Sequence, residues 1–295
     1  MFLSTTSQDK HKSNLLNKLH PLATLLSFLA AKSDPDTKML DQILRKPDAQ
    51  EFIKAMEKEV AGHVEHGHWE VVPISIVPGG NKPILAVWSM KHKRDLGGKI
   101  IKWKARLCAH GRMQTKGVNY WETYLPIVSW TMVCLVLILS LIMGWHMRSL
   151  DFVMAYPQAD IKTDIFMHAP HGCIIPGASN GWSVLKLRKN LYGLKDAGQT
   201  WHKYLRDGLL KCGFKQSQVN PCLFTKGNVL IVTYLDDAVI ILPGKERISA
   251  IIKSLQANYV LTDDSDRRDY LGVRIMCNGK KSMMARIRKH RSLPT

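Results

Sequence analysis

The chain has 295 residues, 45% hydrophobic and 22% charged, the balance of an ordinary globular protein with ample core. Lys and Arg number 42 against 24 Asp and Glu, a net charge of +18, which points to a polyanionic partner, most often nucleic acid. The six cysteines (108, 134, 173, 212, 222, 277) form no C-x-x-C pair and the start from Met1 to Lys12 is polar. These features argue against a zinc ribbon and a secretory signal, and imply reduced, intracellular thiols.

Residues 1–46 mix polar residues with one apolar patch, Leu22–Ala31, and are expected to be a flexible leader or linker. After Pro47, Phe52, Ala55, Met56 and Val60 recur at helical spacing behind Asp48, a candidate cap. Trp69–Val72 and Ile84–Met90 read as strands separated by the turn-rich Pro78–Pro83. A turn at Asp95–Gly98 leads into Ile100–Gly111, where apolar and basic residues partly alternate, as on a half-exposed strand. Residues 78–116 carry ten Lys or Arg and one acid, Asp95. So dense a cluster, interleaved with Trp88 and Trp103, suits phosphates or stacked bases.

The run Met132–Met143 has 12 residues, too few for the ~20 of a spanning helix, and is expected as a buried core helix or strand. Leu150–Tyr156 reads as a strand ending near Asp151, and Trp182–Leu187 as another strand. Trp201–Leu210 and Arg247–Leu255 are helical, the latter with Ile248, Ile251, Ile252 and Leu255 on one face. Asp263, Asp264 and Asp266 form an acidic cluster suited to capping a helix or lying in water. Asp269–Ile275 ends the patterned region, and the basic residues 278–295 are expected to be a disordered tail.

Asp236 and Asp237 lie side by side between two β-branched apolar runs, Val229–Leu235 and Ala238–Leu242, so the carboxylates fall at a hairpin turn. Such turns favour Asn-Gly, Asp-Gly or Gly-X, and adjacent like charges repel. The pair is open to two readings: solvated turn residues, or hard oxygen ligands for Mg²⁺ or Mn²⁺. Asp151 at a second strand end adds a third carboxylate. Three acids in one pocket would be costly without cations and, with two Mg²⁺, form the apparatus of nucleotidyl transfer.

The ordered motifs WEVVP (69–73), KARLCAHG (104–111), NYWETYLPIV (119–128), LDFVMAY (150–156), LYGLKDA (191–197), YLDD (234–237) and YLGVRI (270–275) resemble the reverse transcriptase of copia-type (Ty1/copia, pseudovirus) LTR retrotransposons. The resemblance covers roughly residues 51–275, most of the chain. It implies an α+β, fingers-and-palm polymerase fold with an antiparallel palm sheet: fingers mainly 69–130, palm mainly 131–277. Asp151, Asp236 and Asp237 match the catalytic, metal-binding carboxylates, Asp151 and Asp236 each being expected to contact metal, with the backbone carbonyl of Phe152 completing the nucleotide-bound ion.

Lys104, Arg106 and Tyr156 match nucleotide-binding positions, with the Tyr156 ring expected beneath the incoming sugar, where it would exclude a 2′-hydroxyl. Tyr192, Gly193, Lys195 and Tyr234 match positions near template and primer. The resemblance further implies two Mg²⁺ or Mn²⁺ ions, an RNA template, a DNA primer, dNTPs and, in an intact element, RNase H, integrase and protease in the same Pol polyprotein. No membrane is implied; the expected location is intracellular, a cytoplasmic particle or the nucleus.

Asp196 stands where the family commonly has Gln, Leu235 replaces a commoner Val, and Tyr156-Pro157 replaces Phe-Leu. The chain ends about twenty residues after the last motif, so the thumb is expected to be largely or wholly missing, as in an excised polyprotein segment or a broken copy. The alternative function is therefore an inactive remnant that only binds nucleic acid; a metal-dependent nuclease has no supporting motif. His63, His66 and His68 match no zinc spacing and are expected in a solvated loop. Trp121, Trp130 and Trp145 are expected to pack in the core or a groove.

Overall fold

The computed structural model describes residues 36–38, 40–95, 98–179 and 181–263, and the backbone of strands 269–270, 273–278 and 282–287. In chain order the elements are β1 (Thr37–Lys38), α1 (Leu40–Leu44), α2 (Ala49–Glu65), β2 (Trp69–Pro73), β3 (Ala86–Arg94), β4 (Ile100–Ala109), α3 (Trp130–Ile142), β5 (His146–Phe152), β6 (Phe166–Met167), β7 (Ser183–Leu187) and α4 (Ala197–Lys211). There follow β8 (Lys215–Gln216), β9 (Leu223–Lys226), β10 (Val229–Tyr234), β11 (Asp237–Leu242), α5 (Glu246–Gln256), β12 (Leu261–Asp263), β13 (Asp269–Tyr270), β14 (Val273–Asn278) and β15 (Ser282–Ile287). The chain divides into two compact units, each discontinuous: Met1–Thr123 with Asp160–Ala197, and Tyr124–Ala159 with Gly198–Thr295. The chain thus leaves the first unit after Thr123 and returns to it at Asp160.

The first unit holds two three-stranded sheets, in the orders β1-β3-β4 and β2-β7-β6. Helix α2 packs against β4 through its apolar stripe of Phe52, Met56 and Val60, all buried. Asp48 occupies the N-cap position of α2 but makes no side-chain cap bond. Its carboxylate instead accepts hydrogen bonds from His92 Nε2 (2.8 Å) and Trp103 Nε1 (2.9 Å), tying the helix start to both long strands. Within the expected leader, Thr37–Lys38 forms β1 and Leu40–Leu44 forms α1, whose Leu40, Ile43 and Leu44 are buried.

Two of the three histidines expected in a solvated loop are buried. His63 and His68 face each other with Nδ1 atoms 2.8 Å apart, and His63 stacks on Trp69. Burial, aided by His63 and His66, pushes the His68 imidazole down to about 3, so it is neutral near pH 7. The sequence concealed this because His63 lies on the inner stripe of α2 while His68 follows a turn.

The second unit is built on a six-stranded antiparallel sheet, β12-β5-β11-β10-β9-β8. Alternate residues serve opposite faces. Leu150, Phe152, Ile231, Ala238, Ile240 and Leu242 join the larger core, which also takes Trp201, Leu205 and Leu209 of α4 and Ile248, Ile252 and Leu255 of α5. Val232, Val239 and Ile241 face the other way, onto Val133, Val136 and Leu137 of α3.

The apolar run at 132–143 is thus a helix, begun by Ser129, whose hydroxyl caps Met132 N. It is not buried all round: Leu135, Ile138, Leu139 and Ile142 are exposed, because a helix lying on one sheet face buries only one stripe. Trp130 and, in the first unit, Trp121 are also exposed rather than packed. Among the described residues no helix is long and apolar enough to cross a membrane. Asp263 ends β12 and pairs with Arg148 instead of capping a helix; Asp264 and Asp266 lie outside the described residues. In the stretch expected as a tail, Ser282–Ile287 pairs with β14 as β15.

Candidate active site

Strands β5 and β11 bring two of the three candidate carboxylates face to face. In the antiparallel register Asp237 lies directly opposite Asp151, and Asp236 opposite none of the β5 ladder. Phe152 N donates to Asp236 O at 3.0 Å, which makes Asp151/Asp237 the non-hydrogen-bonded kind of cross-strand pair. In such a pair the Cα atoms are about 4.5 Å apart and the side chains leave the same face. That face, shared with Ser149, Val239 and Tyr234, is the one α3 covers further along the strands. Both carboxylates are half-buried. Two like charges at ~4 Å repel by roughly 1 kcal/mol in water and about 4 at an effective dielectric of 20.

The hairpin turn differs by one residue from the sequence expectation. Tyr234 pairs with Asp237, so the two turn residues are Leu235 and Asp236 rather than the aspartate pair. Leu235 has φ +51, in the left-handed region that a glycine would fill without cost. Among the described residues the only other non-glycine with positive φ is Met154, at +47, three residues beyond Asp151. Each such residue costs on the order of 1–3 kcal/mol and persists where its surroundings enforce it.

The surroundings do so. Trp201 Nε1 donates to Leu235 O at 2.9 Å. Gln158 Nε2 donates to Val153 O and Val260 O, both at 2.8 Å, and its Oε1 accepts from Val260 N at 3.0 Å. Neither Trp201 nor Gln158 carries a sequence signal beyond its place in a helical stretch or near a motif. Tyr156 begins a short 3-10 turn and packs against the larger core.

In the first unit, β3 and β4 present a cationic ladder. The register sets Lys91 opposite Lys104, Lys93 opposite Lys102 and Ser89 opposite Arg106, all on the face away from buried Trp88, Met90 and His92. Opposed lysines are unfavourable in a sheet, so this face suits an anion. The Arg106 guanidinium lies 3.9 Å over the Tyr192 ring, and Lys195 Nζ lies 4.3 Å over the Tyr120 ring and 3.0 Å from its hydroxyl. The segment carrying Tyr192 and Gly193 is sewn to β4 by Ala109 N donating to Tyr192 O at 2.7 Å.

Asp196 is buried, and its Oδ1 finds no hydrogen-bond partner. Burial raises its pKa, against the opposing effects of a backbone bond, Gln114 and Lys162. A carboxyl whose folded pKa is raised favours the fold at low pH and loses that contribution as pH rises through the folded value. Asp196→Gln is therefore expected to be more stable than wild type at pH 8, by about 1–2 kcal/mol, with the gap closing as pH falls. Thermal unfolding of both proteins from pH 4 to 8 checks this; a gap independent of pH would contradict it.

Among the described residues no three His, Cys, Asp or Glu side chains form a ready metal cage. Asp151 and Asp237 still fit Mg²⁺, which is commonly held by one or two carboxylates together with substrate phosphates.

An antiparallel sheet displaying opposed aspartates beside a strained hairpin, in a strongly basic α+β chain, suits chemistry on a polyanionic substrate. The family model for reverse transcriptase (RNA-dependent DNA polymerase) matches residues 67–290, and the chain belongs to that family. It is a reverse transcriptase domain of the kind found in copia-type Pol polyproteins. The chain is 30% identical over 276 residues to the retrovirus-related Pol polyprotein from transposon RE1 of Arabidopsis thaliana, covering 92% of the chain and 18% of that protein. Against the corresponding protein from transposon TNT 1-94 of Nicotiana tabacum it is 26% identical over 254 residues, 84% of the chain and 19% of the relative. Against the transposon Ty1-BL Gag-Pol polyprotein of Saccharomyces cerevisiae it is 24% identical over 282 residues, 90% and 15% respectively. The chain spans under a fifth of the length of these relatives.

Proposed function

We propose that the chain adds dNTPs to the 3′-hydroxyl of a DNA primer on an RNA template, within a fingers-and-palm fold whose palm is the six-stranded sheet. The observation that carries this is the Asp151/Asp237 pair, opposed on one sheet face where two carboxylates could share divalent cations. Asp236, in the turn, is the third carboxylate of the set.

When bound, two Mg²⁺ or Mn²⁺ ions would lower the pKa of the primer hydroxyl and neutralise the charge on the departing pyrophosphate. The remaining work belongs to the chain. Asp151 and Asp237 hold their carboxylates on fixed strands, and the Phe152 carbonyl is assigned as a backbone ligand. Lys104 and Arg106, on the cationic face of β4, are assigned to phosphates; the planar Arg fork suits bidentate contact. Tyr156 is assigned to exclude a 2′-hydroxyl, and Tyr192, Gly193, Lys195 and Tyr234 to the template and primer. RNase H, integrase and protease are the proposed partners within a polyprotein, the relatives being Pol polyproteins.

Primer extension on an RNA template with dNTPs and Mg²⁺ tests the proposal. Templated extension that EDTA abolishes is the expected result. Salt-sensitive duplex binding without extension would show a remnant that only binds nucleic acid, since counterion release gives such binding to almost any chain this basic.

A further inference from the structure

One buried side chain touches both strand ends that bear the carboxylates. Trp201 of α4 is 1% exposed. Its indole N–H donates to the carbonyl of Leu235, the positive-φ residue immediately before Asp236. Its ring meets Phe152, the residue immediately after Asp151, edge-on at a centroid distance of 5.2 Å. A buried indole N–H usually finds an acceptor, and many carbonyls would satisfy it. Here the acceptor belongs to a turn that L-residues resist, so the bond opposes the relaxation that would swing Asp236 and Asp237 away from Asp151. Phe152 N donating to Asp236 O at 3.0 Å completes a closed loop of contacts: Trp201 to Leu235, Asp236 to Phe152, and Phe152 back to Trp201.

We propose that Trp201 is a positioning residue, whose indole N–H holds the strained Leu235–Asp236 turn in the geometry that keeps Asp237 opposite Asp151. The inference rests on the polymerase reading for its consequence but not for its test. A misplacement of about 1 Å at a reacting centre can slow a reaction a hundredfold; loss of one anchoring bond with the ring retained is expected to slow extension about tenfold.

Trp201→Phe keeps an aromatic ring against Phe152 and removes the N–H. A tryptophan isostere with sulfur in place of the indole N–H, introduced at position 201, does the same with the shape preserved should the Phe variant fold poorly. Amide hydrogen exchange of peptides spanning residues 233–238 is read in the free protein, without substrate. The expected result is at least tenfold faster exchange there, with unchanged protection in α5 and, for the isostere, only a small drop in melting temperature. In the same preparations, single-nucleotide addition is expected to fall about tenfold in kcat with the dNTP KM little changed. In a Leu235→Gly background, where the turn no longer resists its φ, the same substitution at 201 is expected to lose most of its effect on exchange. Unchanged exchange at 233–238 in both Trp201 variants would overturn the inference, as would an equal effect in the Leu235 and Gly backgrounds. Wild-type protein that never extends a primer would instead count against the polymerase reading, leaving the exchange result to decide the role of Trp201.

Discussion

Asp151→Asn is expected to make the protein more stable and at least a hundredfold less active. The substitution keeps the shape of the side chain and removes one of two like charges set directly opposite each other on β5 and β11. Opposed like charges weaken a sheet, so without divalent ions the variant should melt at or above the wild-type temperature. Removing one preorganised electrostatic group from a reaction centre lowers turnover by about 10²–10³-fold, and loss of a metal ligand falls at the upper end. Opposite signs for stability and activity are the signature of a functional site held against its own repulsion. Thermal unfolding in EDTA and primer extension in Mg²⁺ on the same preparation measure both. A variant that is less stable and equally active would show that Asp151 serves the fold alone.

The largest effect on the first unit is expected from Gly193→Ala. Gly193 has φ +89, and a Cβ built there would lie 2.2 Å from Ala109 O, backbone that has nowhere to retreat. Gly111 is its counterpart, since a Cβ there would meet Gly193 O at 2.1 Å. The loop of the LYGLKDA motif and the end of β4 approach so closely that only two glycines fit. Parting them would break the bond from Ala109 N to Tyr192 O and disturb the Arg106–Tyr192 stack. The strained backbone and overpacking together cost on the order of 3 kcal/mol or more. Gly193→Ala should therefore lower the melting temperature by several degrees or prevent folding, whereas Gly79→Ala, with open space around it, should not. A melting temperature within a degree of wild type would contradict the close approach.

Much of this architecture was legible in the sequence, where period and punctuation carry it. The strand–turn–strand pattern around Asp236 and Asp237 became a pair of strands, the amphipathic stretch at 247–255 one helix, and the partial alternation of 100–111 one strand. What failed were features set by tertiary partners. Asp48 reads as a cap, yet His92 and Trp103 claim its carboxylate. His63 and His68 read as polar residues in a loop, yet each finds the other as a hydrogen-bonding partner and can be buried. The Met132–Met143 run reads as wholly buried, yet only one stripe meets the sheet.

The candidate site was legible as chemistry but not as register. Residue types marked out the three aspartates; only strand pairing shows that Asp237, and not Asp236, stands across from Asp151. The indole bond from Trp201 to Leu235 had no local signal, because it joins residues far apart in the chain.

The proposed polymerisation depends above all on the opposed pair being a site for divalent cations. Mn²⁺ binding followed by the loss of its free-ion EPR signal, with a dNTP present, tests that most directly. Wild-type protein is expected to bind Mn²⁺ together with the nucleotide, beyond what nucleotide alone takes up, and Asp151→Asn and Asp237→Asn to bind at least tenfold more weakly. Equal Mn²⁺ binding by wild type and both variants would contradict it.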